Sequence, residues 1–226
     1  MDPCTVARTD PRSRRSRIAM RQALADEIVA TGDLTSVTVT AVTERAGLTR
    51  RTFYSHFKDI GALVTAIEDE TVAEVVQLVE NLASSNLDEV FGAIDATEPA
   101  PGAVQILQYF QDRASYLVPL LGAGGDPAFM PRIRDAVHGV MASRALHGLD
   151  HRALGAFFDY YITFAVGAEC AVLSRWLTGG MQESVEAMAK IMTLLMFVRP
   201  GDLYGNVRAT DILGYGCALM NDLETA

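Results

Sequence analysis

The stretch TVTAVTERAGLTRRTFYSHFK, residues 38–58, constrains this chain more than any other. Val39, Val42 and Ala46 recur at helical spacing and mark one apolar face of a short helix. Thr38 stands just before that face, where a hydroxyl caps free backbone N–H groups. Gly47 stands where a helix end calls for a left-handed residue. Leu48 plugs the corner. Thr49 is placed to cap a second helix, on which Phe53 and Phe57, at i and i+4, turn inward together. At about 100° per residue, Arg51 and Ser55 then point away from the core. Thr52 and Tyr54 flank them, and Arg50 lies at the N-terminal edge. This is the geometry of a helix-turn-helix whose second helix is offered to a major groove. A solvated helix pair in an ordinary bundle would account for a bare glycine turn, but not for the whole string.

The run AGLTRRTFYSHFKD resembles the signature of the TetR family of bacterial transcriptional regulators, most specifically in Thr-Phe-Tyr-x-His-Phe at residues 52–57. The resemblance spans residues 17–63 and departs from the family pattern at two places. Ile60-Gly61 stands where Lys-Glu is usual, and Thr43 replaces a common alanine. Gly61 is expected to weaken the start of the following helix; neither change touches the reading face. The resemblance implies a homodimer joined by a four-helix arrangement, and it supports phosphate contacts from Tyr54 and His56.

On the reading face, Arg50 and Arg51 occupy the first turn, where side chains reach base edges. A guanidinium donates two hydrogen bonds to guanine O6 and N7, so at least one of them is expected to contact a guanine. Arg51, pointing most directly outward, is the stronger candidate. Thr40, Thr52 and Ser55 are secondary candidates for base contact. Thr38, Thr49, Tyr54, His56 and Lys58 are expected to hold phosphates of a double-stranded operator.

A net charge of −9 over 226 residues is unusual for a DNA binder, but it is unevenly distributed. Residues 1–65 carry ten Lys/Arg against seven Asp/Glu, or +3; the remainder carries nine against twenty-one, or −12. The head attracts phosphate and the body is kept off the duplex. No apolar run reaches the ~18 residues a membrane span needs. The arginine-rich start has no apolar core of a signal peptide, so a cytoplasmic protein without membrane contact is expected. Cys4, Cys170 and Cys217 have no paired spacing and read as reduced thiols. His147 and His151, four apart around Gly148, read as a polar turn, with no third metal ligand in view. No nucleotide loop, zinc spacing or nucleophile elbow appears. The expectation is therefore a non-enzyme with no cofactor and no metal.

The chain reads as all-α: a three-helix helix-turn-helix DNA-binding domain followed by a helical ligand-binding and dimerisation bundle. Residues 1–13 read as a basic, disordered arm that lies on the DNA backbone, enters the minor groove, or is merely solvated. Residues 14–65 form the DNA-binding domain, with a first helix at 14–31 whose inner face is Ile18, Leu24, Ile28 and Val29. Residues 66–199 form the effector-binding and dimerisation domain, and 200–226 a tail to which no role is assigned. A long helix at 60–82 links head and body. Further helices are expected at 87–94, 103–117, 127–146, 152–177 and 181–198, with a short one at 211–223.

The last two strong helices are apolar on two sides and so must be buried on two sides. The partner face is expected at Val172, Trp176, Val185, Met188, Met192 and Leu195. The Met- and Tyr-rich body offers Tyr109, Arg113, Tyr116, His138, Tyr161, Glu169 and Trp176 as ligand candidates. Glu169, set among apolar neighbours, is costly to bury unpaired. Either a ligand or a structural pair with Arg113 or Arg175 accounts for it. Together these features point to a ligand-responsive DNA-binding dimer, foremost a repressor released by an unknown small molecule. An activator, or a helical interaction protein with a vestigial helix-turn-helix, are the alternatives.

Overall fold

The protein is described here from a computed structural model. It describes residues 11–82, 92–93, 96, 98–145 and 151–195. The N-terminal arm before residue 11, most of the expected helix at 87–94, the segment 146–150 with His147, the tail, Cys4 and Cys217 lie outside the described residues. All regular structure among the described residues is helical, and no helix there is long and apolar enough to cross a membrane.

The chain divides into two compact units. The first comprises the described residues up to Thr71 together with Arg113–Phe129; the second comprises the rest. This differs from a single boundary near residue 65. The segment 113–129, expected in the body, belongs to the DNA-binding unit.

In the first unit, α1 (Pro11–Thr31) starts three residues earlier than the sequence implies, with Pro11 in the first turn, where its missing N–H costs nothing. Residues 11–13 are thus helical and not part of a disordered arm. Its inner face also needs correcting. Leu24 and Ile28 are buried, but with Met20 and Ala23; Ile18 and Val29 are 54% and 70% exposed. Met20, Leu24 and Ile28 form one i+4 line, and Ile18 falls on the opposite side of the helix. Gly32 ends α1 with a positive φ of 72°. A 3-10 turn (Leu34–Ser36), capped by Asp33, leads to α2 (Val39–Arg45) and α3 (Arg50–Tyr54).

The long helix α4 (Ile60–Leu82) starts despite Gly61 because Asp59 caps it, its Oδ1 accepting from Ala62 N–H at 2.8 Å. Leu63, Val64 and Ile67 join the first unit's core, and Val75 and Val79 the second's. The expected single helix at 103–117 is two, α5 (Ala103–Asp112) and α6 (Ala114–Leu121), parted at Arg113. Pro119 lies inside α6 and does not terminate it; the helix ends at Gly122.

α6 runs alongside α1 in the same chain direction. Arg21 pairs with Glu70 and donates to Tyr116 Oη at 3.1 Å. Ser115 bonds Gln22 at 2.9 Å, and Leu34 N–H donates to the Gly124 carbonyl at 2.8 Å. A Cβ on Gly124 would stand 2.5 Å from Gly32 O, so only glycine fits there.

The second unit contains α5, α7 (Phe129–Ala145, in this unit from Met130), α8 (His151–Thr178) and α9 (Val185–Leu195). α9 begins at Val185 and not at 181, because Ser184 caps it, Oγ accepting from Ala187 N–H at 3.2 Å. α9 packs on α5, and Ala100 N–H donates to Thr193 Oγ1 at 2.8 Å. On α8, Ile162, Val166 and Cys170 pack against Met130, Val137 and Met141 of α7.

Candidate nucleic-acid interface

The helix-turn-helix is held by its caps and by one aromatic anchor. Thr38 Oγ1 accepts from Ala41 N–H at 3.2 Å, and Thr49 Oγ1 from Thr52 N–H at 3.1 Å. Each hydroxyl satisfies a backbone donor that a short helix leaves free. Gly47 takes φ 64°, and Leu48 N–H reaches Thr43 O at 2.9 Å, closing the turn. Thr43, in place of alanine, is buried without penalty because its hydroxyl donates to the backbone, with Val39 O at 2.9 Å and Thr40 O at 3.0 Å. Phe53 is fully buried, and its ring lies 5.9 Å from that of Phe57. Tyr54 stands edge-on to Phe53 at 5.7 Å, and its exposed ring is fixed in direction.

With Phe53 inward, Arg50, Arg51, Tyr54, Ser55 and Lys58 are exposed on one side and Thr52 and His56 are half-buried at its margins. The two arginines differ. Arg50 Nη2 is bound to Thr40 Oγ1, which ties the start of α3 back to α2. Arg51 makes no hydrogen bond or ion pair among the described residues and projects a free guanidinium fork. The hydroxyls are partly engaged: Thr49 and Thr52 Oγ1 lie 2.9 Å apart, and Ser55 Oγ donates to Thr52 O at 2.6 Å. Both leave lone pairs or a shared proton for a phosphate or base edge.

The structure adds Ser13 and Ser16 to the face and sets Arg12 of the expected basic arm beside them. Arg12, Ser13 and Ser16 of α1 line one shallow groove with Thr49, Arg51, Thr52, Ser55 and His56. The Arg17 guanidinium lies 6.0 Å from the Phe57 ring centroid. The available signal is the arginine-rich start of α1, of which Arg12 falls in the expected arm and Arg17 in the expected first helix.

The candidate ligand residues fall in both compact units. Arg113 and Tyr116 belong to the first unit; Tyr109, His138, Tyr161, Glu169 and Trp176 belong to the second. Tyr116 is already partnered, with the Arg21 guanidinium 4.7 Å from its ring centroid, and burial raises its pKa. Tyr109 is buried edge-on to Phe110. His138 Nε2 is 3.3 Å from Thr163 Oγ1 and 3.7 Å from Asp159. Tyr161 is exposed, while Trp176 is buried with its indole N–H donating to Glu183 O at 3.2 Å. Glu169 is half-buried, and burial pushes its carboxyl up to about 7. The expected structural pair with Arg113 or Arg175 is absent: Glu169 forms no ion pair or hydrogen bond among the described residues.

The residues expected at the partner face differ in exposure. Trp176, Val185 and Met188 are covered within the protomer, and Val172 and Met192 are half-buried. Of the residues named for it, Leu195 is exposed. The exposed apolar side chains of these helices are Tyr160, Tyr161 and Phe164 on α8 and Ile191, Leu194 and Leu195 on α9.

A short capped helix with a free arginine fork, anchored by an inward phenylalanine pair, defines a helix-turn-helix DNA-binding protein. Residues 23–67 match the model of bacterial regulatory proteins of the tetR family, and residues 97–197 match a transcriptional regulator C-terminal region. Together these cover more than half of the chain, and the chain belongs to the TetR family. No curated protein matches its sequence.

Several solved structures share the fold, three of them as follows. The dihydroxyacetone kinase operon activator DhaS is 14% identical, with TM-score 0.53, over 80% of this chain and 93% of its own. A TetR transcriptional regulator from Streptococcus agalactiae is 20% identical, with TM-score 0.50, over 83% and 96%. The fatty acid degradation regulator FadR from Bacillus halodurans is 13% identical, with TM-score 0.55, over 82% and 94%.

Proposed function

We propose that this TetR-family regulator is a homodimeric, sequence-specific operator binder, and that it represses until a small molecule in the body releases it. The observation that carries the reading is the free Arg51 fork on a rigidly capped α3. An exposed guanidinium held by its helix and not by neighbouring side chains is pre-set for bidentate contact with guanine. Thr38, Thr49, Tyr54, His56 and Lys58 take phosphates, and the Arg12–Ser13–Ser16 side of the groove extends the backbone contact along α1.

Dimerisation is assigned to the outward stripes of α8 and α9: Tyr160, Tyr161 and Phe164 with Ile191, Leu194 and Leu195. Apolar side chains of this size left in water on two helices favour burial against a second copy. Two heads on such a dimer meet two half-sites about one helical turn apart.

Selection of bound sequences from a random DNA pool tests this reading. The expected result is a palindromic site whose half-sites contain a guanine lost on Arg51→Ala. Recovery of no preferred sequence would leave the helical interaction protein as the better description. A reporter carrying the selected site decides direction: lower expression identifies a repressor, higher expression an activator.

A further inference from the structure

Arg50 opens α3, and its guanidinium turns back to α2, where Nη2 donates to Thr40 Oγ1. That is its only hydrogen bond or ion pair among the described residues. Both ends of the bond stand on backbone that the turn has already fixed. Thr40 lies in the first turn of α2, which Thr38 caps, and its carbonyl accepts from Thr43 Oγ1 at 3.0 Å. Arg50 directly follows Thr49, whose hydroxyl caps α3. The bond therefore sets the direction of a long side chain that is otherwise exposed.

A guanidinium carries its N–H donors in a rigid plane, as an end-on fork of Nη1 with Nη2 and a side-on fork of Nε with Nη2. The bond to Thr40 takes one Nη2 hydrogen, so it closes one fork and leaves the other whole. Thr40 accepts in this bond and keeps its own hydroxyl proton. A pair so rich in donors fits an edge of acceptors, and guanine offers two of them in the major groove, O6 and N7. A mere tie between α2 and α3 is a weaker account. Gly47 and the Leu48 N–H on Thr43 O already close the turn, and the fully buried Val42 and Phe53 fill its core. One exposed hydrogen bond adds little to that, because water competes for both groups. Its larger effect falls on Arg50, which has less rotamer freedom left to lose on meeting a base.

We infer that Thr40 is a positioning residue, and that Arg50, aimed by it, reads a second guanine through its remaining fork, beside the one assigned to Arg51. This rests on the operator-binding reading above and adds a second specificity determinant to it. The two arginines then work differently. Arg51 meets its base as a free fork, and Arg50 as a fork that Thr40 has selected beforehand. Thr40, a candidate for base contact from the sequence, acts on the base through Arg50.

The test uses the full-length protein: wild type, Arg50→Ala, Thr40→Val, Thr40→Ser, and Thr40→Val combined with Arg50→Ala. Each selects from a random DNA pool, and each is titrated against the wild-type site and random DNA, with melting temperatures alongside. Valine keeps the shape of threonine but cannot accept a hydrogen bond, whereas serine can. Arg50→Ala is expected to lose about tenfold or more on the site, with a smaller loss on random DNA. It relaxes preference at one base pair per half-site, a different pair from the one that Arg51→Ala relaxes. Thr40→Val is expected to relax the same pair as Arg50→Ala and to lose about three- to tenfold on the site. Thr40→Ser restores the preference. The double variant matches Arg50→Ala, because Thr40 acts through Arg50. A Thr40→Val loss that adds to the Arg50→Ala loss means that Thr40 touches DNA itself, and overturns the positioning role. So does a Thr40→Val loss equal on both DNAs with base preference unchanged, which is the signature of a structural tie. Arg50→Ala selecting the wild-type site overturns the second reader and leaves operator binding through Arg51 standing. A wild type that selects no site removes the operator reading and this inference together.

Discussion

Replacing Glu169 by glutamine is expected to stabilise the protein at alkaline pH and to leave it nearly unchanged in acid. Burial lifts the carboxyl from its ordinary 4.5 to about 7 in the folded chain. Below about 4.5 the group is protonated in both folded and unfolded chains and costs nothing. As pH rises, the unfolded chain releases its proton first, and stability falls until the folded carboxyl also ionises near 7. At about 1.36 kcal/mol per pH unit the full loss is about 3 kcal/mol, an upper bound. The exposed edge of Glu169 trims this to about 1–3 kcal/mol. Glutamine keeps the shape and cannot ionise. The difference in unfolding free energy between Glu169→Gln and wild type should therefore grow by about 1–3 kcal/mol from pH 5 to pH 8. For a chain of this size that is several degrees in melting temperature. The Cys170 thiol, pushed up to about 11, stays protonated throughout. The assay is thermal or urea unfolding of both proteins at one fixed concentration, since a dimer's stability depends on it. Parallel pH profiles would mean that Glu169 ionises normally in the folded protein, and the account of its environment would be wrong.

Further outcomes concern the head and the partner face. Arg51→Ala should lose about 1–3 kcal/mol on the selected operator and little on random DNA, whereas Lys58→Ala should weaken both and lower the salt slope by about one; titration of both DNAs at two salt concentrations checks this. Thr49→Ala should cost about 1 kcal/mol of stability by removing the hydroxyl that accepts from Thr52 N–H, measured by urea unfolding. Leu194→Glu should give monomers with weakened operator binding in sedimentation and titration, because the side chain is exposed in the protomer; a dimer of unchanged affinity would place the interface elsewhere. Gly124→Ala should destabilise the protein by about 1–3 kcal/mol, since the added carbon meets the Gly32 carbonyl at 2.5 Å.

What the sequence determined by itself is local. Thr38, Gly47 and Thr49 declare two helix starts and one stop through caps and backbone preferences that act within a few residues. Phe53 and Phe57 orient α3, and from them the outward direction of Arg51 follows by helical periodicity alone. The all-helical class and the family were therefore legible without coordinates, and so was the exposed side of α3 proposed to read DNA. Periodicity was weaker on α1, where Ile18 and Val29 are apolar yet exposed, because composition does not say which of two apolar lines a neighbour will cover.

Only the tertiary structure decided what touches across long separations. Nothing near Arg113 announces that residues 113–129 join the DNA-binding unit. That follows from the Arg21 guanidinium meeting Glu70 and Tyr116, and from Gly124, whose missing Cβ admits the Gly32 carbonyl. Which apolar side of α8 and α9 the protomer itself covers was hidden for the same reason. Trp176 and Met188 lie on an apolar side of their helices, but their own protomer covers it and leaves Phe164 and Leu194 outside. Helical periodicity identifies apolar faces from spacing alone. Which face meets its own chain depends on side-chain complementarity between segments far apart in sequence, and that exists only once they are packed.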